Sequence, residues 1–242
     1  MNEIIRAPGK GSETVNLVDA KRDLDIGILN RVSGLVGEIP GSVFVLTGSY
    51  SVEALTRTLL LHNDMDTNVF TRDLAQNLPK IDSLLGKWDD VALYKRSDDR
   101  LEYDVLSEGG LISPRRLELQ FIEFINSEER DNLLRLTLGG KEGGFFSVPV
   151  TRAGLLDSKG KESVFRVKSL PFAIATWVIR LSGSVKNPKR SVRESDLDHL
   201  RLLVSGNFKK TDVLTEMGHH PQMDKLASAP EMFDEAMRRL KA

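Results

Sequence analysis

The order of hydrophobic patterns along this 242-residue chain constrains its fold more than any other feature. After a helical pattern over residues 14–36, most short runs up to about residue 168 have the alternation and β-branched content of strands. Helical periodicity then prevails to the C-terminus. The chain is therefore predicted to be an α+β protein, with an α+β domain in residues 1–168 and a helical C-terminal domain in residues 169–242.

Composition excludes several kinds of chemistry. The chain has no cysteine, which rules out disulfides, thiolate metal sites and cysteine nucleophiles. Residues 1–11 contain no apolar signal segment, and the longest apolar run, residues 171–181, is too short to span a bilayer. The sequence therefore predicts a cytoplasmic protein without a membrane partner.

A strand predicted over residues 63–70 opens with the triplet Asp64-Met65-Asp66. Because side chains alternate along a strand, Asp64 and Asp66 are expected on one face and Met65 in the core. Adjacent carboxylates repel each other and are stable as anions only beside a cation. Hard oxygen ligands of this kind favour Mg²⁺, so the pair is predicted to bind magnesium. The alternative is a solvated strand end.

The dipeptide Gly48-Ser49 follows a strand predicted over residues 42–47 and precedes a helix predicted over residues 51–61, with Ser51 as its N-cap. Glycine allows a ligand to approach the backbone closely. The free N–H groups at the start of a helix attract phosphate. The turn is therefore predicted to bind phosphate near the aspartate pair, through backbone amides and the Ser49 hydroxyl. Taken alone, Gly-Ser is more often an ordinary turn.

A third carboxylate is offered by Glu118, on a strand predicted over residues 116–124. Strand parity allows it to face the same way as the aspartate pair, and three carboxylates could then place two Mg²⁺ ions. The alternative for Glu118 is a surface ion pair with Arg115 or Arg116. Asp104, on another predicted strand, is the reserve third acid.

Residues 44–70, FVLTGSYSVEALTRTLLLHNDMDTNVF, resemble the signature of the polymerase-beta-like nucleotidyltransferase superfamily. The matching positions are Gly48, Ser49, Asp64 and Asp66, and the third acid falls on Glu118. The helical segments between residues 164 and 203 are similar to a bacterial branch that includes antibiotic nucleotidyltransferases and the nucleotidyltransferase-like toxins of toxin–antitoxin systems. The resemblance covers roughly residues 40–205 and implies a mixed sheet flanked by helices.

The resemblance implies an enzyme that moves a nucleoside monophosphate from a nucleoside triphosphate such as ATP to an acceptor hydroxyl, with Mg²⁺. The implied acceptors are tRNA or another RNA, a protein or a small molecule, and an antitoxin protein is an implied partner. Phosphate charge would be neutralised by three basic residues: Arg57, Lys168 and Arg180. The chain departs from the branch at Trp177, which occupies the usual lysine position, and at Asp198, where the second acid is displaced.

Two other interpretations stay open. One is a non-catalytic member of the same fold that binds a nucleotide or a partner protein, which the departures around Trp177 and Asp198 favour. The other is an unrelated α+β regulatory domain with an incidental aspartate pair.

Acidic residues predominate in residues 1–150 and basic residues in 151–242. This asymmetry fits either a metal-binding half and an anion-binding half, or two solvated surfaces.

Overall fold

The computed structural model describes residues 4–5, 15–60, 62, 64–107, 115–139, 145–186, 193–220 and 228–241. Its helices are α1 (Leu17–Gly37), α2 (Gly48–Thr56), α3 (Leu74–Leu85), α4 (Leu170–Lys186), α5 (Glu194–Ser205), α6 (Lys210–Gly218) and α7 (Ala229–Lys241). Within the described ranges, none of these helices combines the length and the apolar character that a bilayer crossing requires.

The strands are β1 (Ile4–Ile5), β2 (Val15–Asn16), β3 (Ser42–Leu46), β4 (Asp64–Thr71), β5 (Val91–Ser97), β6 (Arg100–Val105), β7 (Arg115–Glu123), β8 (Asn126–Arg130), β9 (Leu133–Gly139), β10 (Phe145–Leu156) and β11 (Glu162–Lys168). Strands β4 and β7 are parallel, whereas β3 with β4 and β6 with β7 are antiparallel. The predicted α+β class, with a mixed sheet flanked by helices, is confirmed.

Two compact units can be described separately. The first comprises Met1–Tyr50, Leu60–Glu123 and Ala153–Phe165, and the second comprises Ser51–Leu59, Phe124–Arg152 and Arg166–Ala242. The predicted domain boundary after residue 168 stays a prediction.

In the first unit, strands lie side by side in the order β5-β6-β7-β4-β3. Helix α1 packs against β3 and β4, and α3 packs against β7. The fully buried side chains of Leu29, Val45, Met65 and Leu117 contribute to this core. Apolar residues at helical spacing on α1 and at alternate positions on β7 explain why these elements bury one face.

In the second unit, strands follow the order β10-β9-β8 and are antiparallel. Helix α4 packs against α5, α6 and α7. Its apolar residues surround most of its circumference: Ile174, Ala175, Val178 and Ile179 are all buried. A helix that is apolar on most sides is expected at the centre of a helical cluster.

The predicted bounds of α2 were wrong. The helix begins at Gly48 rather than Ser51, and it ends at Thr56 rather than residue 61. Gly48 has a φ of 60°, so the chain turns directly from β3 into the helix without an N-cap at Ser51. Arg57 has a φ of 59° and its N–H donates to the Glu53 carbonyl, which ends the helix in a left-handed residue.

Local sequence signals do not account for one helix and one strand of the structure. Pro79 lies inside α3, where Asp73 caps the helix by accepting a hydrogen bond from the Gln76 N–H. A proline removes one backbone donor, and α3 continues beyond it. Strand β8 was not predicted at all, because Asn126–Arg130 is polar and mostly exposed and carries no alternating apolar pattern.

A charge placed in the sheet core should strongly destabilise the protein. Val45 has 0% of its surface exposed, so Val45→Asp buries a carboxylate and should lower the free energy of unfolding by about 4 kcal/mol. Val164 is a matched control because the same change at its 58% exposed side chain buries no charge. Urea denaturation followed by circular dichroism measures both variants, and equal losses would contradict this description of the core.

Candidate active site in the first unit

The bend after β3 lies directly against an aspartate of β4. The Thr47 N–H donates to the Asp66 carbonyl at 3.0 Å, which fixes the end of β3 beside the start of β4. A Cβ atom added at Gly48 would lie 2.4 Å from Asp66 Oδ2. Only glycine therefore allows the backbone at position 48 and the Asp66 carboxylate to lie this close.

The two aspartates of β4 lie on the same face of the strand. Met65 is completely buried, whereas Asp66 is half-buried and Asp64 exposed, as the alternation of a strand requires. Their carboxylates are oxygen donors of the kind that Mg²⁺ prefers. Because Asp66 is held against the Gly48 bend, the aspartate pair and the start of α2 form one locality.

Glu118 lies beside this pair. In the parallel pairing of β4 with β7, Asp66 is aligned with Glu118, so both side chains point to the same face of the sheet. The Glu118 carboxylate forms an ion pair with Arg100, 3.3 Å between Nη1 and Oε1. The alternative of an ion pair with Arg115 or Arg116 was wrong about the partner, because the arginine that reaches Glu118 is on β6.

Asp104, the reserve acid, has an arginine partner of its own. It is aligned with Arg116, whose Nε donates to its carboxylate at 2.9 Å. The same guanidinium donates to Glu102 at 3.2 Å and lies 3.5 Å from the centroid of the Tyr94 ring. Asp104 is therefore held in a charged network on β5–β7. Glu118 remains the acid that is aligned with Asp66.

The Ser49 hydroxyl contacts a histidine. Its Oγ lies 2.7 Å from His62 Nδ1, and the His62 ring stacks on Tyr50 with the ring centroids 3.4 Å apart. His62 immediately precedes the segment that leads into β4. The imidazole therefore fixes the orientation of the hydroxyl that was predicted to bind phosphate.

A buried ion pair supports this histidine. Asp25 of α1 is 1% exposed and accepts hydrogen bonds from the Tyr50 hydroxyl at 2.6 Å and from Arg115 Nη2 at 2.7 Å. Arg115 Nη2 also donates to the His62 carbonyl at 2.7 Å. Burial alone would lower the pKa of Arg115, but the hydrogen bond and charge of Asp25 raise it overall. The network ties α1, α2 and β7 to the site.

The sequence analysis did not identify the roles of Asp25, Tyr50 and Arg100, and it did not predict the contact between Ser49 and His62. Asp25 and Arg115 are separated by 90 positions, so no local pattern connects them. The one available signal was the position of His62, two residues before Asp64.

The three predicted phosphate-binding cations belong to the second unit. Arg57 is exposed and follows the end of α2. Arg180 Nη2 lies 3.7 Å from Asp196, and its guanidinium lies 4.9 Å from the Trp177 ring centroid. Lys168 Nζ lies 5.8 Å from the Phe172 ring, and burial lowers the pKa of Lys168 to about 8. Their role in phosphate binding stays a prediction.

His220 should make the protein less stable in acid. Burial, together with the charge of Lys168, lowers the pKa of His220 from 6.5 to about 4. The unfolded chain therefore binds this proton between pH 6.5 and 4 while the folded protein does not, so the free energy of unfolding falls across that window as the pH falls. We expect the titration of His220 to lower the free energy of unfolding by about 2 kcal/mol across that window.

Melting temperatures measured from pH 7 to pH 4 test this expectation. The His220→Asn variant should lose less stability over that range than the wild-type protein does. The His219→Asn variant changes an exposed neighbour on the same turn and should follow the wild type. Parallel curves for wild type and His220→Asn would contradict the assignment.

In the part of the chain that the structure describes, no group of three or more histidine, aspartate or glutamate side chains is arranged as a ready metal site. The donors that fit Mg²⁺ are the two β4 carboxylates, which share a face. Glu118 is aligned with them but is held by Arg100. Asp64, Asp66 and Glu118 share one face of the sheet, and their carboxylates are ligands of the kind that Mg²⁺ takes.

No family model matches the chain, and no curated protein matches it. Several solved structures are similar to it, and two of them are described next. The antibiotic-resistance factor ANT(2'')-Ia is 11% identical, with a TM-score of 0.46, over 83% of this chain and 91% of that chain. MenT4, a nucleotidyltransferase toxin from Mycobacterium tuberculosis H37Rv, is 13% identical, with a TM-score of 0.38, over 93% of this chain and 94% of that chain.

Proposed function

We propose that the protein is a Mg²⁺-dependent nucleotidyltransferase that transfers a nucleoside monophosphate from a nucleoside triphosphate to an acceptor hydroxyl. The observation that carries the proposal is the contact between the Gly48 bend and the Asp66 carboxylate. It brings the start of a helix, which attracts phosphate, against a carboxylate that fits a divalent cation. A triphosphate–Mg²⁺ complex needs these two features side by side.

Each residue of the candidate site then has a role in binding or orientation. The N–H groups at the start of α2 and the Ser49 hydroxyl bind the phosphates, and His62 orients that hydroxyl. Asp64 and Asp66 hold Mg²⁺, which when bound neutralises phosphate charge and stabilises the charge that develops during transfer. Glu118 is the candidate to accept the proton of the attacking hydroxyl.

The reaction is an in-line displacement at the α-phosphorus. A bond forms between the acceptor oxygen and the α-phosphorus, and the bond from that phosphorus to the bridging oxygen of the β-phosphate breaks. Pyrophosphate leaves with the electron pair of the broken bond. The protein contributes mainly position and electrostatic complementarity, as in other phosphoryl transfers.

Transfer of label from α-labelled nucleoside triphosphates tests the proposal. The protein is incubated with Mg²⁺ and each of the four triphosphates, in separate reactions with cellular RNA, with total protein and with a panel of small hydroxylated molecules. We expect labelled acceptor in one of these reactions and none when EDTA is present. Mg²⁺-dependent nucleotide binding without any transfer would instead support the second candidate function.

That second candidate is a non-catalytic protein of the same fold that binds a nucleotide or a partner. Two observations favour it. Arg180 is engaged by Asp196 and Trp177, and Glu118 is engaged by Arg100. Both contacts occupy groups that an active enzyme would direct at substrate.

The role in the cell is proposed from the sequence resemblance alone. If the protein is a toxin of a toxin–antitoxin system, its induced expression in a bacterial host arrests growth, and the arrest requires Asp66. Growth arrest that persists in an Asp66→Asn variant would separate toxicity from nucleotide transfer.

A further inference from the structure

The hydrogen bond between Ser49 and His62 can run in either direction. Ser49 Oγ lies 2.7 Å from His62 Nδ1, and both side chains are half-buried, so a ligand in solvent can reach them. A hydroxyl group both donates and accepts, whereas an imidazole nitrogen donates when it carries hydrogen and accepts when it does not. The direction of the bond therefore depends on whether Nδ1 carries a hydrogen atom.

A phosphate bound at Ser49 determines this direction. Phosphate oxygens are strong hydrogen-bond acceptors, whereas the Ser49 hydroxyl has a single hydrogen atom to donate. If Ser49 gave that hydrogen to His62, only the lone pairs of its oxygen would face the phosphate, and the two groups would repel each other. The hydroxyl binds a phosphate only when it accepts a hydrogen bond from His62 and donates its own hydrogen to the ligand.

The His62 side chain and backbone are both held in place for this role. Its ring stacks on the Tyr50 ring, with the centroids 3.4 Å apart and an angle of 13° between the planes. The Tyr50 hydroxyl donates to the buried Asp25 carboxylate at 2.6 Å. Arg115 Nη2 donates to the same carboxylate and to the His62 carbonyl, each at 2.7 Å. Nδ1 therefore stays within hydrogen-bond reach of Ser49.

We propose that His62 carries a hydrogen atom on Nδ1 and donates it to Ser49, so that the Ser49 hydroxyl donates to a phosphate of the nucleoside triphosphate. This inference rests on the proposed function. Either direction of the bond would orient the hydroxyl, but only this one makes it a phosphate ligand. His62 is thus a positioning residue whose effect on nucleotide binding passes through Ser49.

Nuclear magnetic resonance locates the hydrogen atom without an activity assay. The ¹⁵N chemical shift of an imidazole nitrogen distinguishes its protonated from its unprotonated form. The chain has four histidines, and the signals that disappear in His62→Asn identify this one. Spectra are recorded with Mg²⁺ and an ATP analogue that has a methylene group between the α- and β-phosphates, and with the corresponding analogues of the other three triphosphates. We expect a protonated Nδ1 in the complex.

The affinity for the same analogues, measured by calorimetry, tests what the bond does. His62→Asn and His62→Asp have the same shape, but the amide can donate to Ser49 whereas the carboxylate only accepts. We expect His62→Asp to bind the analogue with Mg²⁺ at least about 10-fold more weakly than His62→Asn does. The charge of the aspartate is controlled by repeating both changes in Ser49→Ala, where the ratio of the two affinities should be about 10-fold smaller.

His219→Asn is the matched control, because it changes an exposed histidine of α6's C-terminal cap and should leave the affinity unchanged. Thermal melting confirms that the variants are folded, and the wild-type spectrum decides the inference if His62→Asp is not.

Two results would overturn the inference and leave the proposed function standing. One is an unprotonated Nδ1 in the complex, because Ser49 would then donate to His62. The other is the same ratio of affinities with Ser49 and with Ser49→Ala, because the direction of the bond would then have no effect on phosphate binding. If none of the analogues binds the wild-type protein in the presence of Mg²⁺, the proposed function fails as well.

Discussion

Asp66→Asn should abolish nucleotide transfer and leave the protein folded. The substitution keeps the size of the side chain against the Gly48 bend but removes the charge that is proposed to hold Mg²⁺. Loss of metal-based stabilisation of the transition state is worth several kcal/mol, so transfer should fall by about 1,000-fold or more. Stability should change by less than about 1 kcal/mol, because the change also relieves repulsion from Asp64.

Initial rates of label transfer and urea denaturation measure these two quantities in parallel. Asp89→Asn is the matched control, because Asp89 is an exposed aspartate in a turn of the same unit. It should keep both activity and stability. An Asp66→Asn protein that transfers label at the wild-type rate, or that fails to fold, would show that this carboxylate is structural.

Gly48→Ala should impair both stability and transfer. An alanine at a φ of 60° is strained by about 1–2 kcal/mol. Its Cβ would also lie 2.4 Å from Asp66 Oδ2, so the carboxylate must move away from the bend. Because misplacement of a reacting group by about 1 Å costs about 100-fold in rate, we expect at least that loss of transfer.

Gly160→Ala separates strain from displacement. Gly160 has a φ of 78°, and a Cβ added there meets nothing within 4 Å. The variant should lose a similar amount of stability, measured by urea denaturation, without losing transfer. Equal loss of transfer in both variants would mean that general destabilisation, rather than the position of Asp66, explains the effect of Gly48→Ala.

The sequence predicted the parts of the site that depend on local pattern. Alternation around Met65 placed Asp64 and Asp66 on one face, and the Gly48-Ser49 dipeptide marked the bend between a strand and a helix. Parity also placed Glu118 on a matching face. Its direct alignment with Asp66 depends on the register between β4 and β7, which no single strand pattern determines.

The contacts between distant segments could not be predicted in the same way. The ion pair of Asp25 with Arg115 and the contact of Ser49 with His62 arise when α1, α2 and β7 pack together. The pairing of Glu118 with Arg100 requires the β5–β6 hairpin to lie against β7. Each of these contacts joins residues that are distant in sequence. The sequence therefore identified candidate charged residues but could not predict which of them pair with each other.

A crystal structure of the protein with Mn²⁺ and the methylene analogue of ATP tests the central claim most directly. Anomalous scattering locates the metal independently of the surrounding protein. We predict a peak at a coordination distance of about 2.1–2.2 Å from carboxylate oxygens of Asp64 and Asp66, with phosphate oxygens against the start of α2. A nucleotide bound elsewhere, or a metal peak that is not coordinated by either aspartate, would contradict the account.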